Sequence, residues 1–305
     1  MSKEQTKTCA LTLTFLTNVS MGSLNGSDKE ADNMSNIKKL TRGAKTYPYM
    51  SSQAVRRALR DQLGTMGHSL SEGSASEIKK GAAITQCLPK EFVDDDLFGF
   101  MDAQSSGTHK RTSPVRVSPL LSIDPYEGDL DFGTNYMAVE DGGNPNIFET
   151  EIHGGLYRGT ILIELDAVGE SRKGEWESKE KREPWNVDTK EKAKRVTSLL
   201  QSVQHLWSSG RQSRFLSDIS PKFVAAALLK AKVPIFLEAV ERDAKTGIKT
   251  ALLTEAVDDA KNIVEKHCFG VRSGQFEIED KKLTTKTIGE AFAEMESWVN
   301  SHYGV

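Results

Sequence analysis

The chain of 305 residues predicts an α+β fold: one antiparallel sheet with its helices on one face and a ferredoxin-like strand order. Three observations carry this expectation. Residues 10–17, ALTLTFLT, alternate Leu11, Leu13 and Phe15 against Thr12 and Thr14, the period-two pattern of a strand buried on one face. A helix follows early, and two more helical patterns close the chain. Between them, residues 233–253 read VPIFLEAV, ERDAKTG and IKTALL, the strand, turn and strand of a late hairpin.

Each element follows from local chemistry. After the first strand, residues 18–36 are rich in Gly, Ser, Asn and Asp and read as a long loop. Residues 38–60, KKLTRGAKTYPYMSSQAVRRALR, form a polar loop that enters a helix, with Ser51 or Ser52 able to cap the amides of the first turn. At about 100° per residue, Gln53, Arg56, Arg57 and Arg60 share one helix face while Val55, Ala58 and Leu59 point the other way. Residues 64–95 mix Gly and Ser with two short helical stretches, 76–81 and 90–97. The Gly, Pro, Asp and aromatic content of 119–148 suits an extended excursion, a hairpin. Strand character returns in YRGTILIELDAV at 157–168. Residues 169–195 crowd Lys, Glu and Arg around Trp176 and Trp185 and read as a charged solvated insertion, running into a helix over about 188–207. The stretch 254–267 places Val257, Ala260, Ile263 and Val264 on one helical stripe. The stretch 287–302 does the same with Ile288, Ala291, Phe292, Met295, Trp298 and Val299, opened by Thr287 and Glu290 as a capping box.

Composition narrows the function. With 37% hydrophobic and 27% charged residues and a formal charge of -3, the chain is ordinary globular material with room for a large core. That charge argues against indiscriminate coating of nucleic acid and confines any such binding to a groove. Cys9, Cys87 and Cys268 are odd in number and form no CxxC pair, which fits a reducing cytosol and makes no zinc site. No segment approaches the ~20 apolar residues of a membrane span, and the N-terminus lacks a signal core, so a cytoplasmic chain without a membrane partner is expected.

Against this balance, residues 38–60 stand out. They hold Lys38, Lys39, Arg42, Lys45, Arg56, Arg57 and Arg60 and no acid. Solvated helix faces usually mix both signs, whereas a one-sign row of guanidinium groups matches a row of phosphates in spacing and donor geometry. Nucleic-acid or phosphate binding is therefore the expectation. Enzyme motifs are weak beside it. Ser76-x-x-Lys79, Ser217-Asp218 and Lys245-Thr246-Gly247 mimic a serine acyl enzyme, yet Ile219 stands where that pattern needs asparagine. GxSxG, Walker A, HExxH and strand-linked GxGxxG motifs are absent. The six histidines are scattered singly, and His267 with Cys268 supplies only two ligands. No catalytic residue, metal or cofactor is expected.

Five short motifs occur in order: SSQAVRRALR at 51–60, LFG at 97–99, SPVRVSPL at 113–120, GGLYRG at 154–159 and SGRQSRF at 209–215. Together they resemble the backbone subunit of type I CRISPR surveillance (Cascade) complexes, the DevR-like branch of the RAMP superfamily, over about residues 10–236. The resemblance implies a single domain over 1–305: an RRM-like palm with a helical finger at 61–96 and a thumb hairpin at 120–150. It implies that Ser51, Ser52, Gln53, Arg56, Arg57 and Arg60, helped by Lys45, hold an RNA backbone. It assigns Gly210, Arg211 and Gln212 to a glycine loop near that RNA and adds Arg116 and Arg158. The implied partners are the CRISPR guide RNA, target DNA through the guide, further copies of the chain and other surveillance-complex subunits. Because the aromatic motifs of ordinary RNA-recognition domains are lacking, phosphates and 2'-hydroxyls would be held and base edges left free for pairing. Acidic groups, Asp94 to Asp96 or the thumb, are expected to face basic ones on the next copy. The alternative is a metal-dependent endoribonuclease of the same superfamily using Asp28 or Asp32, loop aspartates that are equally good turn formers.

Overall fold

The computed structural model describes residues 7–26, 34–71, 85–104, 107–135, 146–173, 175, 184–208, 212–242, 247–278 and 283–305. At its centre lies β1 (Ala10–Gly22), antiparallel to both β10 (Asn146–Glu164) and β11 (Phe223–Leu229), with Leu13 opposite Ile161 and Ala226. β7 (Val115–Val117) and β8 (Leu120–Ser122) extend the sheet beyond β10, and β12 (Val264–Val271) extends it beyond β11, all antiparallel. The pairs made by the two-residue strands β2 (Met34–Ser35) and β13 (Thr285–Lys286) are parallel. The architecture is thus α+β with one large, mostly antiparallel sheet.

Alternation along the strands creates its two faces. Leu11, Leu13 and Phe15 join Val115, Val117, Ile161, Ile163, Val224, Ala226 and Leu228 on one face. Three long helices of the described residues cover it, with Val93, Leu97 and Phe98 packed beside them. α1 (Ser52–Thr65) contributes Val55, Leu59 and Leu63, α3 (Thr189–Gln204) contributes Val196, Leu199 and Val203, and α6 (Ile288–Tyr303) contributes Phe292, Met295 and Val299. On the other face, Leu16, Phe223, Ala225, Ala227 and Leu229 pack with Phe236, Val240 and Leu253. β11 is therefore buried on both sides, which is why FVAAALL shows no alternation and gives no amphipathic signal.

Several expectations hold. Ser51 caps α1, α3 starts next to the expected residue 188, where Asp188 serves as its cap, and Thr287 with Glu290 forms the capping box of α6. The excursion forms a ribbon in which β9 (Asp129–Asn135) pairs with the first half of β10, Phe132 opposite Glu149.

Others are corrected. β1 runs through the first part of the expected loop, because Asn18 and Val19 still pair with Leu156 and Gly155. The polar loop before α1 is a hairpin, β3 (Lys39–Arg42) and β4 (Lys45–Met50), turning at Gly43 with φ +61. Among the described residues of 233–253 there is no strand. Phe236 and Val240, four apart, are both buried in a run of turns, Arg242 and Ile248 form one isolated bridge, and α5 (Thr250–Asp259) starts within the expected second strand. The helix expected over 254–267 ends at Asp259, and β12 takes its last residues, because Cys268 and Phe269 pair with Ala226 and Ala225. Tertiary pairing overrides the local helical stripe there. The stretch 76–81 lies outside the described residues. Among those described, no helix is long and apolar enough to cross a membrane.

Candidate nucleic-acid interface

The position of α1 is fixed from both ends of its cap. The Ser51 N–H donates to Asn25 Oδ1 at 2.9 Å, and Ser51 Oγ accepts from the Ala54 N–H at 3.3 Å. No acidic side chain stands in the first turn, so the orphan amides and the positive end of the helix dipole meet no internal carboxylate there. Burial of Val55, Ala58, Leu59 and Leu63 sets the rotation of the helix. Gln53 and Arg57 then face solvent, while Ser51, Ser52, Arg56 and Arg60 are half-buried.

Arg56 is the unusual member of this row. Its Nε is buried without a hydrogen-bond partner among the described residues, and burial, then the Arg60 charge, push its pKa down. Like charges four apart on a helix repel by a few tenths of a kcal/mol, a small cost that an arriving anion would reverse.

The fold supplies acids that the segment itself lacks. Arg57 pairs with Asp61 at 2.8 Å, Arg60 Nε lies 3.3 Å from Asp94, and Lys39 reaches Glu151 at 2.5 Å while sitting 4.4 Å over the Tyr126 ring. Lys38, Arg42, Lys45 and Arg56 make no ion pair among the described residues. Lys45 and Arg42 are exposed at the hairpin turn before α1, with Arg42 over the Tyr47 ring.

Arg116 and Arg158 lie apart from this row. Both belong to the sheet face opposite α1, since their neighbours Val115, Val117 and Tyr157 point into the helix-covered core. Arg158 donates to Val240 O at 3.1 Å and Glu238 at 3.0 Å, in a cleft of about 440 Å³ that it shares with Arg42, Tyr47 and Arg242. Arg116 pairs with Glu164 at 2.6 Å, and Arg172 and Lys232 reach the same buried carboxylate at 2.5 and 2.9 Å. Burial pushes Glu164 up, but hydrogen bonds from Lys232 and Arg116 and the Arg172 charge outweigh it and hold the carboxyl below the ordinary range.

The aspartates of α2 (Val93–Phe98) overturn an expectation. Asp94, Asp95 and Asp96 are buried and present no acidic patch to a neighbour. Asp96 pairs with Arg111, with Arg195 at 2.7 Å and with the Gly169 N–H at 2.9 Å; Asp95 accepts from the Leu88 N–H at 2.9 Å. Glu175 completes the network through Arg111 at 3.1 Å, so part of the stretch expected to be solvated is buried too. Burial raises the Asp96 pKa although both arginines pull it down. These charges are internal because each has a partner.

Gly210 and Arg211 lie outside the described residues, as do Asp28 and Asp32. Gln212 opens the short helix α4 (Gln212–Phe215), its side chain not among those described. In α4 the residue that matters is one the motif reading passed over. Arg214 donates to Thr150 at 3.1 Å, pairs with Asp131 and stacks 4.7 Å from the Phe148 ring, clamping one face of the β9–β10 ribbon. No local signal marks it, since its partners lie 64 and 83 residues away. Among the described residues no His, Cys, Asp and Glu group is placed to hold a metal ion.

Comparison with known proteins agrees with this architecture. A solved chain described as "CRISPR RNA-guided surveillance complex, pre-nicking" superposes with a TM-score of 0.65 at 12% identity, covering 95% of this chain and 99% of its own. A second, "CRISPR RNA-guided surveillance complex", gives 0.58 at 14% identity with the same coverage. At such identities the likeness is one of fold. In sequence, the "CRISPR-associated protein Cas7/Cst2/DevR" of Myxococcus xanthus (strain DK1622) is 27% identical over 234 residues, 70% of either chain. The model of one family, "CRISPR-associated negative auto-regulator DevR/Csa2", matches residues 11–246, and with well over half its length matched, the chain belongs to that family.

Proposed function

We propose that this chain is a non-catalytic scaffold that binds a CRISPR guide RNA, oligomerises along it with other surveillance-complex subunits in the cytoplasm, and presents it for pairing with target DNA. Family membership and fold likeness support the assignment. The single observation that carries the binding mode is Arg56: a half-buried guanidinium whose Nε has no partner among the described residues, on a helix whose first turn holds no acid, beside a second arginine. Such a site favours a phosphate.

In this reading β1, α1, β7, β10, α3 and β11 form an RRM-like palm. Their order in the sheet, β11-β1-β10 with β7 beyond β10, and two helices crossing one face support it. Residues 61–96 serve as the finger and 120–150, with the β9–β10 ribbon, as the thumb. The guide backbone follows Lys45, Ser51, Ser52, Gln53, Arg56, Arg57 and Arg60, with the loop of Gly210, Arg211 and Gln212 beside it. Arg158 joins through the cleft it shares with Arg42. Arg116, tied to Glu164, contributes least.

Co-expression with a repeat-spacer RNA and its processing partner, followed by sequencing of the RNase-protected RNA, tests this function. The expected outcome is spacer protection at regular intervals that disappears in the Arg56→Ala, Arg57→Ala, Arg60→Ala triple variant. Random RNA fragments, or no RNA, would overturn it.

A further inference from the structure

We propose that Asp94 is a positioning residue for RNA binding, holding the Arg60 guanidinium so that its terminal nitrogens face an incoming phosphate; the inference rests on the function proposed above. Asp94 is 1% exposed and divides its oxygens between two duties. Oδ1 accepts from the Ser71 N–H at 2.9 Å, and Oδ2 lies 3.3 Å from Arg60 Nε. The Nε contact is an ion pair without the alignment of a hydrogen bond. Phe98, one turn on from Asp94, sets its ring 5.1 Å from the same guanidinium and fixes its plane. Arg60 is therefore held by its inner nitrogen and by one face, and its terminal nitrogens donate no hydrogen bond to a described residue. Its side chain is 27% exposed, so the fork reaches solvent from a fixed base. An arginine ordered in advance loses less freedom when a phosphate arrives.

The competing account is that Asp94 only accepts from Ser71, a duty asparagine performs equally well. Coulomb attraction alone makes a further, opposite forecast: removing an acid beside a cationic row should tighten RNA binding. Positioning requires that it weaken. The two are separated by titrating the full-length chain into a single-stranded repeat-spacer RNA at several salt concentrations.

Asp94→Asn is expected to bind roughly 5–10-fold more weakly, about the net worth of one ordinary hydrogen bond, with a salt slope smaller by about 0.7. Arg60→Ala should show the same loss, and the double variant should be no weaker than Arg60→Ala alone. Binding by Asp94→Asn at or above the wild-type affinity, or losses that add in the double variant, would overturn the inference. Should Asp94→Asn fail to fold, Arg60→Lys carries the test. It keeps the charge and loses the fork, so affinity near that of Arg60→Ala is expected and wild-type affinity is the refuting result. A failure of the proposed function would look different: the wild-type chain itself would not bind this RNA, and the inference would fall with it.

Discussion

At the scale of single residues, the cationic row could be read from sequence while the carboxylates that discipline it could not. The i, i+3, i+4, i+7 spacing of Gln53, Arg56, Arg57 and Arg60 follows from helix geometry alone. Asp94 and Glu151 come from distant elements, and a run of three aspartates looks like surface until Arg60, Arg111 and Arg195 are found against it. Two predictions belong here. Asp96 is fully buried between two arginines, so Asp96→Ala should cost about 3–5 kcal/mol by leaving both buried cations short of a partner. Urea denaturation measures this, and a loss below about 1 kcal/mol would contradict the burial. Glu164 should make stability depend on acid. Its folded pKa lies below the unfolded value of 4.5, so its pairing contributes above that value and fades as the pH falls through the folded pKa. The stability gap between wild type and Glu164→Gln should therefore be larger at about pH 7 than at about pH 3.5.

Among the elements, legibility tracked amphipathicity. α1, α3 and α6 each bury one face, and β1 alternates apolar residues with Thr although both of its faces are buried over Ala10 to Thr17, so periods and caps gave these elements away. β11 buries both faces and β12 borrows the end of a helical stripe, so neither carries a period of its own. The β3–β4 hairpin was hidden for a different reason. Its burial pattern, exposed through most of β3 and the start of β4, offers no apolar alternation to detect, only Gly43 at the turn. The ribbon formed by β9 and β10 depends on a clamp from α4, and this is testable. Arg214→Ala removes the contacts to Thr150, Asp131 and Phe148 together. Amide exchange along β9 and residues 146–152 should accelerate while the β1–β10 core pairing at 156–164 stays protected. Uniform protection would mean that the ribbon holds itself.

For the whole molecule, the question is how a chain with a formal charge of -3 binds a polyanion. Local segregation answers it. The basic residues of 38–60 collect along α1 and the hairpin turn before it, and acids distant in sequence neutralise Lys39 and orient Arg60 without cancelling Lys38, Arg42, Lys45 or Arg56. Attraction should then come from a few defined phosphate contacts and not from the overall field, which is weakly repulsive. Salt dependence measures this directly. Single-stranded RNA releases about 0.7 counterion per phosphate neutralised, so the Arg56→Ala, Arg57→Ala, Arg60→Ala variant should lower the slope of log affinity against log salt by about 2. An alanine change at Arg116 should leave the slope unchanged, because its guanidinium is tied to Glu164 on the sheet face opposite α1. An unchanged slope in the triple variant would move the contacts off α1, and a slope lowered by Arg116→Ala would extend the RNA path along the opposite sheet face beyond Arg158.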